Sequence, residues 1–250
     1  GTFTDVMAML GDRMAVAKVL STPEDLSVGV MSGIDAAVAQ LGARTADISF
    51  VVHATTAATN ALLERRGARV GLIVTDGFRD ILEIGRQRRF DPYDLQRPKL
   101  TPLVPRERVV EVPERLDAGG NVLLALDEAA VRAAFASLRD QGVDAIAVSF
   151  LHAYRDPRHE QRVLELVTPD VVGVDTPIFA SHQIAPEARE FERTSTTVIA
   201  AYLEPVVGHY LQALAEGLEA RGASRRYWVM KSSGGLFDSD SARAHPEELV

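Results

Sequence analysis

The sequence contains no cysteine, which excludes a disulfide framework, a thiolate-held zinc and a cysteine nucleophile. Positive charge is scarce: 27 Lys and Arg stand against 35 Asp and Glu, and the formal net charge of -8 removes the basic footprint that nucleic-acid binding needs. No apolar run reaches the roughly 18 residues of a membrane-spanning helix, and no secretory signal pattern opens the chain. Neither nucleic acid nor membrane is expected as a partner, and a cytoplasmic location fits. Internal repeats, low-complexity tracts and Gly/Ser linkers are missing as well. What is present, 250 residues with 46% hydrophobic and 25% charged side chains, suffices for a real core in one large domain or two small ones. In so acidic a chain an anionic ligand must be held by local dipoles or a metal.

The informative stretches lie at the ends of predicted strands. Gly1-Thr2-Phe3-Thr4-Asp5 puts a glycine, two hydroxyls and a carboxylate before the apolar run to Leu10. Such a turn can aim N–H groups and hydroxyls at phosphate, with Asp5 on a metal-bound water. It needs a strand before it, so the sequence reads as a piece of a longer chain; the plain alternative is a frayed end leading into a strand. Gly11-Asp12 predicts a hairpin with Met14 to Leu20. Ser21-Thr22-Pro23-Glu24-Asp25 predicts the start of a helix to about Leu41, whose apolar face packs on a sheet made of the hairpin and a strand Ile48 to Val52. His53 through Gly67 then reads as strand, polar turn and helix. Thr55 or Thr56 can cap that helix, and because one cap needs one hydroxyl, Thr55, Thr56 and Asn60 are read as ligand groups, while His53 is read as a buried structural hydrogen-bonding residue.

Val70 to Thr75 predicts a strand buried on both faces, and Thr75-Asp76-Gly77-Phe78 a turn into a short helix Arg79 to Gly85, completing a strand, helix, strand unit. Arg86-Gln87-Arg88-Arg89 is the densest basic cluster, with Arg86 the candidate for an anionic ligand group. Val109 to Val112 and Asn121 to Leu126 predict a small hairpin around Asp117-Ala118-Gly119-Gly120. A helix from Asp127-Glu128 to Gln141 leads to a second buried strand, Ala145 to Leu151, and a helix Arg158 to Val167. His152 and His159 flank the turn between them, as metal ligands or, more simply, as a packing and a surface residue. After a short strand Ile178 to Ala180, Glu192-Arg193 reads equally as an ion pair or as a substrate-orienting pair. Thr194 to Thr197 read as hydroxyls at the entry of a helix running to about Arg221 with a kink at Pro205, and Lys231-Ser232-Ser233-Gly234-Gly235 as a polar loop after a last strand Tyr227 to Met230. The pattern is an open-sheet α/β fold with polar groups at the carboxyl edge of its strands.

Taken together and in order, these stretches resemble a family. They are Gly1 to Asp5, the ThrThr-x-x-ThrAsn core at Thr55 to Asn60, Thr75 to Asp80 with Gly85-Arg86-Gln87, Phe150-Leu151-His152 with Pro157-x-His159-Glu160, Glu192 to Thr197, and Ser232-x-Gly234-Gly235. The chain is similar to the N-terminal part of the hydantoinase A and 5-oxoprolinase family, which also includes acetone carboxylase subunits. Each motif alone is weak; six in order over the whole length are specific.

The resemblance implies an α/β fold of the ribonuclease-H-like, actin-like ATPase type, a mixed sheet flanked by helices with a small β-hairpin insertion. It implies an N-terminal-type domain over residues 1–193 and the start of a hydantoinase A-type domain over 194–250. The implied activity is that of an ATP-dependent hydrolase subunit that phosphorylates the carbonyl of a cyclic amide such as a hydantoin or 5-oxoproline, with ATP and Mg²⁺ and a hydantoinase B-type partner subunit or domain. Gly1, Thr2 and Thr4 would form the first phosphate loop and Ser232, Gly234 and Gly235 a further nucleotide loop. Asp5 would be the metal-side acid, acting with Thr55, Thr56 and Asn60, and Arg86, His152 and Arg193 would face substrate. Alternatives are an ATP-dependent carboxylase subunit acting on a ketone and a non-catalytic assembly module. The sequence departs from the family in lacking the acid and glycine expected before Gly1, in His53-Ala54 for the usual His-Gly, and in Ser233 where asparagine is frequent. The 250 residues alone are therefore expected not to hydrolyse ATP.

Overall fold

The computed structural model describes residues 2–87, 93, 94, 96, 100–168 and 176–250. In chain order the strands are β1 (Phe3–Leu10), β2 (Arg13–Leu20), β3 (Val52–His53), β4 (Val70–Thr75), β5 (Val109–Val112), β6 (Arg115–Leu116), β7 (Val122–Leu124), β8 (Ala145–Ser149), β9 (Ile178–Ala180), β10 (Trp228–Met230) and β11 (Leu236–Asp238). The helices are α1 (Leu26–Gln40), α2 (Ala57–Leu63), α3 (Ile81–Ile84), α4 (Glu128–Asp140), α5 (Arg158–Leu166), α6 (Ser181–Ile184), α7 (Glu190–Ala220) and α8 (Ser239–Ala244). They divide into two compact units, Gly1–Arg65 with Val206–Val250, and Arg66–Pro205. Helix α7, which carries Pro205 within it, supplies residues to both.

In the first unit β1 and β2 form an antiparallel hairpin with Asp5 opposite Lys18 and a turn at Gly11, whose φ of 59° suits glycine. One face of β1 is half-buried (Thr4, Val6, Ala8), the other exposed, the period of two expected of a strand covered on one side. Helix α1 covers that side. A Cβ at Gly33 would sit 2.7 Å from Val6 Cγ2, so the close approach of helix and hairpin requires glycine there. The helix starts later than the sequence predicts: Asp25, not Ser21 or Thr22, is the cap, accepting from the Ser27 N–H at 2.9 Å. Thr22 instead bonds the Asp25 carbonyl and accepts from Gly29 N–H, holding the preceding turn.

The expected joint sheet of hairpin and Ile48–Val52 is not formed. Among the described residues β1 and β2 pair with each other and with no further strand, and β3, reduced to two residues, lies parallel to β10 in the order β11-β10-β3. The structure adds the strand β11 and helix α8, which the sequence reading did not resolve; α8 is capped by the Asp238 carboxylate, which accepts from the N–H groups of Asp240 and Ser241.

The second unit is built on a four-stranded, wholly parallel sheet of order β5-β4-β8-β9. Every residue of β4 and β8 is buried, which explains why both read as continuous apolar runs without alternation. Helices α4 and α5 pack their apolar sides on the sheet in a core of Ile73, Phe135, Leu138, Ile146, Phe150 and Val163. Three sequence expectations change here. Strand β5 is a sheet strand and not half of a hairpin; the hairpin is β6 with β7 around the Asp117 turn, whose carboxylate accepts from the N–H groups of Gly119 and Asn121. Strand β4 joins a different sheet from β3, so β3, α2 and β4 do not close one strand, helix, strand unit. Helix α7 begins at Glu190, which places Thr194 and Thr197 inside it as buried residues and not as entry hydroxyls. Thr197 donates to the Arg193 carbonyl one turn back.

Candidate functional site

In the first unit, β3 and β10 run parallel, so the loops that follow both strands leave the same edge of their sheet. The loop after β3 carries Thr55 and Thr56 into α2, and the loop after β10 carries Ser232, Gly234 and Gly235. Thr55 is the capping hydroxyl, accepting from the Ala57 N–H at 3.1 Å. Thr56 occupies the cap position yet makes no such bond; its hydroxyl accepts only from the Asn60 amide, at 3.3 Å. A cleft of about 930 Å³ is lined by β1, α1, β3 with the loop that follows it and the start of α2, with Thr4, Asp5, Thr55, Thr56 and Asn60 among its polar groups; Ser232, Gly234 and Gly235 do not line it. That is the size of a cofactor or nucleotide pocket.

His53 stands in the same cleft with its Nε2 2.7 Å from the Tyr210 hydroxyl. Burial pushes its pKa down to about 4, so the ring is neutral at pH 7. Burial pushes the Tyr210 hydroxyl up. The pair is the structural hydrogen bond expected of His53; its partner, which lies far along the chain on α7, carried no sequence signal. Thr4 Oγ1 lies 3.1 Å from Ser21 Oγ, tying the start of β1 to the end of the hairpin. Asp5 is exposed and forms a 2.6 Å ion pair with Lys18 across the hairpin. Among the described residues no three His, Asp or Glu side chains converge as a metal cage. The one carboxylate that β1 offers suits a Mg²⁺ carried by nucleotide phosphates and not one held by protein alone.

Gly1, Arg88 and Arg89 lie outside the described residues. Thr2 is exposed, and its carbonyl accepts from Ser21 N–H at 3.0 Å. Ser232 donates its N–H to the Glu248 carbonyl, and Gly234 and Gly235 have φ of 93° and 87°, a backbone that suits glycine; all three are exposed.

In the second unit the polar groups gather at the carboxyl edge of the parallel sheet and are buried. Glu114 bridges Thr75 and His159, whose Nδ1 is 2.7 Å from Glu114 Oε2. Glu160, with no exposed surface, accepts from the Phe150 N–H (2.8 Å), Ser181 Oγ (2.6 Å) and His182 N–H (2.8 Å), and its Oε2 lies 2.7 Å from His182 Nδ1. The Arg193 guanidinium donates to Ser181 Oγ, the Glu187 carbonyl and the Phe150 carbonyl, and lies over the Tyr154 ring. The Leu151 N–H donates to Thr75 Oγ1 at 2.9 Å. The peptide after β8 is thus held from three sides. Glu192 and Arg193, read as a pair from the sequence, are separate: Glu192 bonds Arg86 at 2.5 Å, which holds its carboxyl below the usual range. His152 occupies the turn after β8 at φ 57°, its ring 6.1 Å from Tyr154. Glu114 and Ser181 were invisible in sequence, because a lone acid in a loop and a serine after a strand have no pattern of their own.

The family model described as hydantoinase/oxoprolinase N-terminal region matches residues 1–170, and the one described as hydantoinase/oxoprolinase matches 193–250. The chain belongs to the hydantoinase/oxoprolinase family. It is 38% identical to the caprolactamase subunit alpha of Pseudomonas jessenii over 94% of this chain and 35% of that protein. It is 34% identical to the acetophenone carboxylase gamma subunit of Aromatoleum aromaticum over 95% of this chain and 35% of that one. The crystal structure of the ATP-dependent caprolactamase from Pseudomonas jessenii superposes with a TM-score of 0.87 at 35% identity, covering 99% of this chain and 37% of that structure's chain. The chain therefore spans about a third of the length of these relatives. The fold expected from the resemblance, a mixed α/β arrangement of the ATPase type, is the one found.

Proposed function

We propose that the chain is the nucleotide-proximal part of an ATP-dependent hydrolase that opens a cyclic amide. The observation that carries this reading is the first unit's cleft, which Thr4, Asp5, Thr56 and Asn60 line beside the start of α2, in a chain belonging to this family. Amides are poor electrophiles. Transfer of the terminal phosphoryl group of ATP to the amide oxygen, with ADP leaving, activates the carbon; water then adds to it, the ring C–N bond breaks with the nitrogen leaving as a protonated amine, and a second water displaces phosphate from the resulting acyl phosphate to give the carboxylate. Chain groups in such a step position reactants and neutralise charge.

Thr2, Thr4 and the loop Ser232 to Gly235 would take phosphate oxygens through hydroxyls and N–H groups. Asp5 would face a nucleotide-borne Mg²⁺, whose chemistry is to neutralise phosphate charge. Thr56 and Asn60 would orient the reacting groups, with Thr55 fixing the helix start. A hydantoinase B-type partner subunit fits the reading, since relatives are named as subunits. A second reading, a carboxylase subunit that activates a ketone by the same phosphoryl transfer, is favoured by the similarity to the acetophenone carboxylase gamma subunit. The test is a panel of hydantoins, 5-oxoproline, larger lactams and ketones offered to the full-length protein with its partner subunit, reading substrate-dependent ADP release. Release with cyclic amides alone supports the first reading, release with ketones and bicarbonate the second, and release with neither overturns both.

A further inference from the structure

The strands β11, β10 and β3 make a sheet whose two faces are unlike. Tyr227, Val229 and Phe237 turn to one face and are buried. Helix α7 lies on that side, where its Leu211 carbonyl accepts from the Tyr227 hydroxyl and its Tyr210 hydroxyl meets His53. The opposite face carries Phe50, Val52, Trp228, Met230 and Leu236, which are between 41% and 60% exposed. The register sets them side by side: Val52 is opposite Trp228, Met230 is opposite Leu236, and the Phe50 and Trp228 rings are 6.3 Å apart. Asp238, the acid opposite Trp228, turns its carboxylate to the N–H groups that begin α8.

Single exposed apolar side chains are ordinary on a soluble protein, but a contiguous set with an aromatic pair marks a surface that something covers. A sheet with apolar residues on both faces needs a layer on each. In the second unit β4 and β8 have such cover, since every residue of both is buried. The five side chains of the bare face expose on the order of 500 Å², below the roughly 800 Å² per partner of a stable interface between separate chains. A helix about 10 Å across and roughly 16 Å, or about three turns, long covers that area, and within one chain it escapes the entropy cost of association. The apolar surface does not run on over the hairpin, whose outer side is divided by the exposed Asp5–Lys18 ion pair. A source for the helix lies in the length of the relatives. The family model over residues 1–170 is that of an N-terminal region and the relatives are about three times as long, so most of their further length follows the matched part. The turn Pro246–Leu249 is tied to this sheet, with the Glu248 carbonyl accepting from the Ser232 N–H two residues beyond β10.

We propose that an amphipathic helix from the part of the full-length protein that follows Val250 packs its apolar stripe on this face, over Phe50, Trp228, Met230 and Leu236, and gives the sheet its second layer. The helix fixes β3 and β10, the two strands whose following loops carry Thr55, Thr56 and Ser232. The inference concerns packing and does not rest on phosphoryl transfer in the first unit.

The test puts the photo-crosslinker p-benzoylphenylalanine in place of Met230 in the full-length protein, mixes light and isotopically heavy preparations, and reads crosslinked peptides by mass spectrometry. Crosslinks from position 230 to peptides C-terminal to Val250 are expected, joining light to light and heavy to heavy alone. Mixed light and heavy pairs would make the cover a second copy, and crosslinks that form only with the partner subunit added, and to that subunit, would make it the partner. Either result overturns the proposal, as does the absence of any crosslink. Where the substituted protein does not fold, hydroxyl-radical oxidation of the wild-type full-length protein without its partner decides the matter. Trp228 and Met230 should oxidise as slowly as their buried neighbours Tyr227 and Phe237, and oxidation as fast as in the urea-unfolded chain would leave the face bare and the proposal wrong.

Discussion

In the first unit Asp5, Thr56 and Asn60 border an open cleft and make few bonds, each to a near neighbour: Asp5 to Lys18 across a hairpin, Thr56 to Asn60 one turn on. In the second, Thr75, Glu114, His159, Glu160, Ser181 and Arg193 are buried and bonded to one another across strands and helices distant in sequence. The same residue types therefore do different work. An open, sparsely bonded set can turn to a large ligand at little cost, whereas a buried, saturated set rigidifies the sheet edge. Stability should depend on the second set and turnover on the first.

The strongest way to break that contrast is at Glu160. Replacing it with Ala leaves the Phe150 N–H, the Ser181 hydroxyl and the His182 N–H without an acceptor and Arg193 further from any negative charge. A loss of about 3–5 kcal/mol is expected. Thermal and urea unfolding measure it, and a change of less than about 1 kcal/mol, the scale of an exposed pair, would remove the distinction between the units.

His53 is the exception inside the first unit, a half-buried, largely desolvated group beside an open cleft, and it sharpens the comparison through pH. Its folded pKa of about 4 lies below the ordinary 6.5, so the unfolded chain takes up the proton first as pH falls. Stability from the neutral ring is complete above about pH 6.5 and is lost progressively between 6.5 and 4, by at most about 3 kcal/mol. His53→Gln should flatten the acid limb of the stability curve in that window, and an NMR titration of the His53 ring should show no protonation down to about pH 5. A ring that titrates near 6.5 would place His53 with the exposed cleft groups.

Much of this layout was legible in the sequence, and the failures have a common physical source. Apolar runs with no alternation identified β4 and β8, because strands buried on both faces need no polar side. Asp127 and Gly142 bounded α4 as cap and stop, since these signals act within a few residues. Pairing between distant segments was not legible. Val109–Val112 is a strand as expected but pairs with β4, and of the expected strand Ile48–Val52 only Val52 is in one, the two-residue β3 that pairs with β10; such pairings depend on tertiary packing that local propensity does not encode. The candidate site divides likewise. Thr55, Thr56 and Asn60 are neighbours in sequence and in space, whereas the partners of His53, Asp5 and Glu160 come from other elements. Lys18 was in principle within reach, since the hairpin register places it opposite Asp5.

Asp5 tests the open set directly. Asp5→Asn in the full-length protein should lower substrate-dependent ADP release by about a hundredfold, the scale on which one charge-stabilising group acts, with little change in melting because the ion pair it loses is exposed. Lys18→Met removes the same ion pair from the other side and should leave turnover within a few-fold. Equal turnover losses in the two variants would assign the effect to the hairpin and not to the cleft.

The smallest effects fall on two adjacent threonines and separate cap from ligand group. Thr55 Oγ accepts from the Ala57 N–H, so Thr55→Val should cost about 1 kcal/mol of stability, as the loss of a helix cap does, and lower turnover only as far as the start of α2 shifts. Thr56 Oγ meets only the Asn60 side chain, at 3.3 Å, on an exposed residue, so Thr56→Val should leave melting nearly unchanged. If the Thr56 hydroxyl meets phosphate or substrate, its loss appears in turnover alone. Melting and ADP release measured on the same preparations read both. A Thr56→Val protein that melts as wild type and turns over as wild type would leave Asn60 and Asp5 as the cleft's working groups, and one that loses about 1 kcal/mol would make Thr56 the cap, contrary to the hydrogen bonding seen at Thr55.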